Sequence, residues 1–191
     1  MDLSMNEVEA QARKAAKGAG YSWGEADEVG KAVRWLSARG LDGSHHLALL
    51  FSKTVTPEIC PIRFGIQISD TATNLAVCPA RSELLAEPML ALPFVAFAAE
   101  QTQQSYQIRT ETWSVIVDAA GLEQIGRAPD RVDWLEVSVT AQRPQPLSVK
   151  SRAHPNADSW ATLTRFAHLT YAPATEESRL RGAGAGLSDN D

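Results

Sequence analysis

Apolar positions at helical spacing dominate the first third of the chain. A capping box at residues 4–7 predicts a helix that begins at Met5. The same motif recurs at residues 22–25 and predicts the start of a second helix, while residues 44–51 predict a short third helix capped by their leading serine. Residues 1–53 are therefore expected to form a helical hairpin or a three-helix segment.

The apolar pattern changes to alternation in the middle of the chain. Ile62, Phe64, Ile66 and Ile68 recur at every second position, which predicts one face of a strand. Further strands are predicted at residues 75–77, 89–98, 106–118 and 132–142. We expect residues 57–142 to form a mostly antiparallel sheet.

The last part of the chain returns to helical spacing. A connection rich in proline leads to a helix that is predicted over residues 159–170, with possible caps at residues 156–159. A second short helix is predicted before residue 182, so residues 156–181 are expected to hold the C-terminal helices. Residues 182–191 are expected to form an extended Gly-rich tail. The predicted fold class is α+β in a single domain.

Composition and charge narrow the classes of partner. The chain has 191 residues, a net charge of -5 and a pI near 5.4. Because such a chain lacks a basic field, nucleic acid and anionic membranes are disfavoured as partners. A leader pattern and an apolar run near the roughly 20 residues of a spanning helix are both missing. We predict a cytoplasmic protein.

The cysteines and the adjacent histidines do not have the spacing of metal ligands. Cys60 and Cys78 fall on opposite faces in the predicted hairpin register, so buried, unpaired thiols are expected. His45 and His46 point about 100° apart on a helix and are expected to be solvated or capping residues. The sequence predicts neither a metal site nor a cofactor.

Two segments carry candidate ligand-binding residues. The glycine-rich turn with Tyr21, Ser22 and Trp23 precedes a helix, where free amides favour anions; its plain alternative is a tight turn between helices. Further along the chain, Arg109, Glu111 and Trp113 share one face if residues 106–118 form a strand. That row either lines a pocket, with Arg109 binding a carboxylate, or is a solvated face with a cross-strand ion pair.

Catalytic candidates are few. His154 and Asp158 stand just before a predicted helix and form a possible acid and base pair, with Glu111 as a further carboxylate. The alternative interpretation is that Asp158 caps the helix and His154 is exposed.

The two ends of the chain carry specific motifs. The N-terminal Asn-Glu-Val-Glu and Gly-Ala-Gly-Tyr-Ser-Trp-Gly and the C-terminal Gly-Ala-Gly-Ala-Gly and Asp-Asn-Asp resemble those of an uncharacterised bacterial family, a domain of unknown function. The resemblance spans essentially the whole chain and implies no activity. It does imply that both glycine motifs are family features.

The favoured hypothesis is an enzyme of amino-acid or related carboxylate metabolism, of unknown reaction type. The tail and the Tyr21 turn would enclose an anionic small molecule. The tail residues proposed to bind it are Ser178, Arg179, Arg181, Gly182, Gly184 and Gly186. Two alternatives are an accessory subunit whose tail inserts into a partner enzyme, and a structural homo-oligomer with exchanged tails.

Overall fold

The computed structural model describes residues 1–170, and it has an α+β fold as predicted. Its helices are α1 (Met5–Gly18), α2 (Trp23–Ala38), α3 (Gly43–Phe51), α4 (Pro61–Asp70), α5 (Leu92–Thr102) and α6 (Ala157–His168). Its strands are β1 (Leu3–Ser4), β2 (Ala80–Ser82), β3 (Leu85–Ala86), β4 (Ser105–Arg109), β5 (Ser114–Val117), β6 (Leu122–Ile125), β7 (Arg131–Val132), β8 (Leu135–Thr140) and β9 (Arg152–Ala153). The predicted helix and tail beyond residue 170 lie outside the described residues.

The N-terminal helices begin where the capping motifs predict. The Ser4 hydroxyl accepts from the backbone N–H of Glu7, whose carboxylate accepts from the Ser4 N–H in return. Residues 22–25 repeat this arrangement at the start of α2. The predicted cap of α3 is wrong: the Asp42 carboxylate accepts from the His45 N–H, and Ser44 is buried inside the helix. Aspartate is a strong N-cap residue, so the cap lies earlier in the chain than predicted.

The main sheet is antiparallel and has the strand order β2-β8-β4-β5-β6. Two short pairs, β1 with β9 and β3 with β7, lie outside it. The strand predicted over residues 132–142 is confirmed as β8, whose Leu135 and Val137 are buried. The strand predicted over residues 106–118 is two strands, β4 and β5, joined by a turn.

Two predicted strands are helices. Residues 62–68 belong to α4, which Pro61 opens at its first position, where a missing N–H costs nothing. The buried residues Ile62, Gly65 and Ile68 are spaced by three and match a helix face, so the alternation of apolar residues is misleading here.

The second error concerns residues 89–98. This run is apolar throughout, and its length does not separate a buried strand from a buried helix. It enters α5, which is buried on several sides and contacts α2, α4, β4 and β5. A helix surrounded in this way reads as a continuous apolar run.

The helices form the second layer of the fold. α1 packs on α2 and α6, α3 packs on α2 and α6, and α4 packs on α5. The buried apolar side chains of residues 1–170 form one core cluster that runs from these helices into the sheet. Within this range, no helix is both long and apolar enough to cross a bilayer.

Candidate functional site

Glu87 occupies a position that combines burial with unusual backbone geometry. Its side chain is 1% exposed, and its backbone has φ 43° and ψ 58°, in the left-handed region. The next residue, Pro88, normally holds its predecessor in an extended conformation. A non-glycine residue in this region costs about 1–3 kcal/mol, and residues of this kind cluster at functional sites.

Two side chains from α3 and the loop after it bind the Glu87 carboxylate. His46 Nδ1 lies 3.1 Å from Oε2, and Lys53 Nζ lies 2.5 Å from Oε1. An ionised carboxylate only accepts hydrogen bonds, so His46 Nδ1 is the donor, and Nε2 is the ring nitrogen without a proton when the imidazole is neutral. Lys53 also donates to the backbone carbonyl of Asp130 at 3.3 Å.

These contacts decide the charge state of the carboxyl group. Burial alone raises the pKa of Glu87. The hydrogen bonds from His46 and Lys53, with the charge of the lysine, outweigh burial, so the pKa lies below the ordinary glutamate value of 4.5. Glu87 is therefore a carboxylate at neutral pH. It holds one imidazole and one ammonium side by side.

A cavity of about 240 Å³ lies next to this cluster and has Lys53 in its wall. Its apolar lining consists of Val55, Ile59, Leu84 and Ala86. Its charged lining consists of two cations, Lys53 and the exposed Arg131, and one carboxylate, Asp130. An apolar cavity with a few converging polar groups is typical of small-molecule sites, and this volume suits a compound of few heavy atoms.

The turn with Tyr21 lines a second cavity, of about 220 Å³. The Tyr21 hydroxyl lies 3.3 Å from Cys60 Sγ, and Arg63 lines the same cavity. Burial, with the nearby Cys60, raises the pKa of the Tyr21 phenol, which keeps it protonated. Ser22 is the cap of α2 and Trp23 is 59% exposed. The expected contacts of this turn with an anion stay a prediction.

The comparisons with known proteins give one match. Residues 3–87 match a family model described as protein of unknown function, DUF3726. The prediction of a domain of unknown function is confirmed over this range. No curated protein matches the chain, and no solved structure matches it.

The DUF3726 match contains most of the Glu87 site. His46, Lys53 and Glu87 all lie inside it, and Glu87 is its final residue. The match also covers the Tyr21 turn. Arg131 lies beyond it, in β7, which pairs with β3 at the edge of the matched range.

Arg109, Glu111 and Trp113 lie outside the DUF3726 match. The prediction that they share one face of a strand is wrong. The strand ends at Arg109, so Glu111 is in the turn and Trp113 is buried at 1% exposure. Arg109 binds Glu136 on the neighbouring strand at 3.0 Å. The alternative of a cross-strand ion pair is the correct one.

His154 and Asp158, the predicted acid and base pair, lie in different surroundings. His154 is exposed, as its alternative interpretation predicts, and its Nδ1 lies 3.2 Å from the Met1 carbonyl oxygen. Asp158 is exposed in the first turn of α6, where Asn156 is the cap. The Asn156 side-chain oxygen accepts from the backbone N–H groups of Asp158 and Ser159, so Asp158 is not needed as a cap.

The predicted surroundings of the adjacent histidines and of the two cysteines are only partly correct. His45 Nδ1 lies 3.2 Å from the Ser159 hydroxyl and His46 binds Glu87, so both hold specific partners from distant segments. Cys60 and Cys78 are unpaired; Cys60 is buried as predicted, whereas Cys78 is exposed. The strand predicted next to Cys78 does not form, and this removes the reason for its predicted burial.

Proposed function

We propose that the protein is an enzyme of small-molecule metabolism that transfers a proton on an amino-acid-like or other carboxylate compound. The observation that carries the proposal is the strained, buried Glu87, which binds His46 and Lys53, with Lys53 in the wall of a cavity. Strain, burial and a paired base in one place are typical of catalytic sites.

The cavity supplies the groups that a carboxylate needs. Arg131 and Lys53 carry positive charge at its wall, and a guanidinium binds a carboxylate with two parallel hydrogen bonds. Because Lys53 is in an ion pair with Glu87, it serves as a cation and not as an amine nucleophile. The apolar wall would receive the rest of the compound.

His46 supplies the proton-transfer group. Its Nδ1–H bond to Glu87 fixes the ring orientation and leaves Nε2 as the base. When Nε2 takes a proton, the Glu87 carboxylate stabilises the imidazolium that forms. A positioned base of this kind contributes about 10²–10⁴-fold to the rate.

The two other hypotheses, an accessory subunit and a homo-oligomer, depend on residues 182–191. These residues lie outside the described part of the chain. We favour the enzyme because of the Glu87 site alone.

We expect Arg131→Met to weaken carboxylate binding about tenfold, because it removes the cation of the cavity wall that is not in the ion pair with Glu87. The measurement is isothermal titration with a panel of small 2-amino and 2-hydroxy carboxylates. Arg127→Met is the matched control: Arg127 is exposed in the same segment of the chain but does not line the cavity. Absence of binding by every carboxylate, or equal weakening in both variants, would contradict the binding part of the proposal.

We expect His46→Asn to reduce proton exchange on the bound compound about 100-fold or more, with binding retained. Exchange is followed by proton NMR in D2O as loss of the signal at the carbon next to the carboxylate. His45→Asn is the control, because His45 lies next to it in α3 and binds Ser159 instead. Equal exchange in the unmodified protein and the His46 variant would rule out His46 as the base.

A further inference from the structure

Three basic side chains meet at a small cavity far along the chain from the Glu87 site. Lys150, Arg152 and His154 are spaced by two, and all three line a cavity of about 90 Å³. The buried residues Ala153 and Pro155 line the same cavity, so this segment forms one of its walls. No lining residue is shared with the cavity beside Glu87.

The opposite wall is formed by the connection between α2 and α3. Gly40 has φ +77°, and a Cβ atom there would lie 2.7 Å from Lys150 Nζ, so the absent side chain makes room for the ammonium. The Lys150 backbone N–H donates to the Ala38 carbonyl at 2.7 Å and fixes the segment at this place. Ser37 adds a hydroxyl to the lining.

Asp42, the acidic residue that lines the cavity, has hydrogen-bond partners other than these basic side chains. Asp42 accepts from the His45 N–H at 3.0 Å and, through its other oxygen, from the Asn156 N–H at 3.1 Å. Its charge is used to cap α3 and to hold the chain before α6. The basic side chains are therefore not explained by pairing with Asp42.

A second carboxylate, that of Asp2 near the N-terminal end of the chain, lies close to two of the basic side chains. Arg152 Nε lies 2.9 Å from Asp2 Oδ1 and His154 Nδ1 lies 4.0 Å from the same oxygen. Asp2 is 61% exposed and does not line the cavity. Asp2 is therefore an exposed internal counterion of Arg152.

We propose that this cavity binds a phosphate group, free or carried by a small metabolite, through Lys150, Arg152 and His154, in competition with Asp2. Two cations, Lys150 and Arg152, with the His154 ring as a further hydrogen-bond donor, match a phosphate dianion better than they match a single carboxylate. The volume admits one tetrahedral group and little more.

The proposal predicts opposite effects from two substitutions. Lys150→Met should weaken the binding of inorganic phosphate about tenfold, because one charge-assisted contact is lost. Asp2→Asn should tighten it about threefold or more, because the competing carboxylate is removed. Isothermal titration with inorganic phosphate at constant ionic strength measures both, and acetate should bind more weakly than phosphate.

Matched variants separate a site from a general charge effect. Lys14→Met removes a charge from an exposed residue of α1, and Asp27→Asn removes an exposed carboxylate paired with Arg13; both should leave phosphate binding unchanged. Phosphate binding that is missing in the unmodified protein, or unaffected by Lys150→Met, would overturn the proposal. So would Asp2→Asn without tighter binding, and since Asp2 is exposed, this result does not depend on the folding of the Lys150 variant.

Discussion

Glu87→Gln is expected to lower the free energy of unfolding by about 3 kcal/mol. The substitution keeps the size of the side chain and removes the charge that His46 and Lys53 bind. Loss of one partner of a buried ion pair costs about 3–5 kcal/mol. The lower value applies because Lys53 is 36% exposed and water can solvate part of its charge. Urea unfolding followed by circular dichroism measures the change.

Glu87 also determines how the free energy of unfolding is expected to change at acid pH. The pKa of Glu87 is lower in the folded protein than the ordinary value of 4.5, so its contribution is fully present above that value. The contribution is lost as pH falls through the lower, folded pKa. We therefore expect the unmodified protein to lose stability below about pH 4.5 more steeply than Glu87→Gln does.

Glu83→Gln is the matched control, because Glu83 is exposed in the segment before β3. It should change the free energy of unfolding by less than about 0.5 kcal/mol. If Glu87→Gln were as stable as this control, the contacts of the Glu87 carboxylate with His46 and Lys53 would not stabilise the strained backbone at this position. The proposed role of the site would then lose its physical basis.

The sequence predicts those elements that are encoded locally. Each capping box consists of a serine and a glutamate three residues apart, and both parts of the motif are visible without knowledge of the fold. Gly40, which follows α2 in a left-handed conformation, is a sequence signal of the same local kind. These predictions succeed because the interactions lie within one helical turn.

The two central helices are not predicted, because their apolar pattern depends on what surrounds them. In α4 an apolar residue stands at every second position from Ile62 to Ile68, which imitates a strand. Of these residues, Phe64 and Ile66 are only partly buried. The deciding evidence is the packing of α4 on α5, since this contact buries Gly65 against the Phe94 ring. Such a contact joins segments that are distant in the sequence and has no local signature.

The Glu87 site shows the same limit. His46 and Lys53 are seven residues apart, but Lys53 lies in the loop after α3, so helical spacing does not explain why they bind the same carboxylate. Their partner Glu87 lies 34 residues after Lys53, in a short connection between β3 and α5. Its left-handed backbone cannot be read from a residue type that ordinarily avoids that conformation.

Gly18→Ala is expected to lower the free energy of unfolding by about 3 kcal/mol, and the melting temperature by about 10 °C. A Cβ atom at this last residue of α1 would lie 1.8 Å from the carbonyl oxygen of Phe166. That oxygen belongs to the last turn of α6 and accepts from the Leu169 N–H at 3.0 Å, so it has no freedom to move away. The two helices would have to separate.

Gly24→Ala tests whether the effect comes from this close approach or from the loss of glycine itself. Gly24 lies in the first turn of α2, and nothing lies within 4 Å of the position that a methyl group would take there, so alanine should stabilise the helix by about 0.5 kcal/mol. Differential scanning calorimetry of the two variants should give shifts of opposite sign. Similar shifts in both would show that α6 does not approach α1 at Gly18. Since α6 is the last described helix, that result would also remove the contact between Gly18 and the C-terminal end of the described chain.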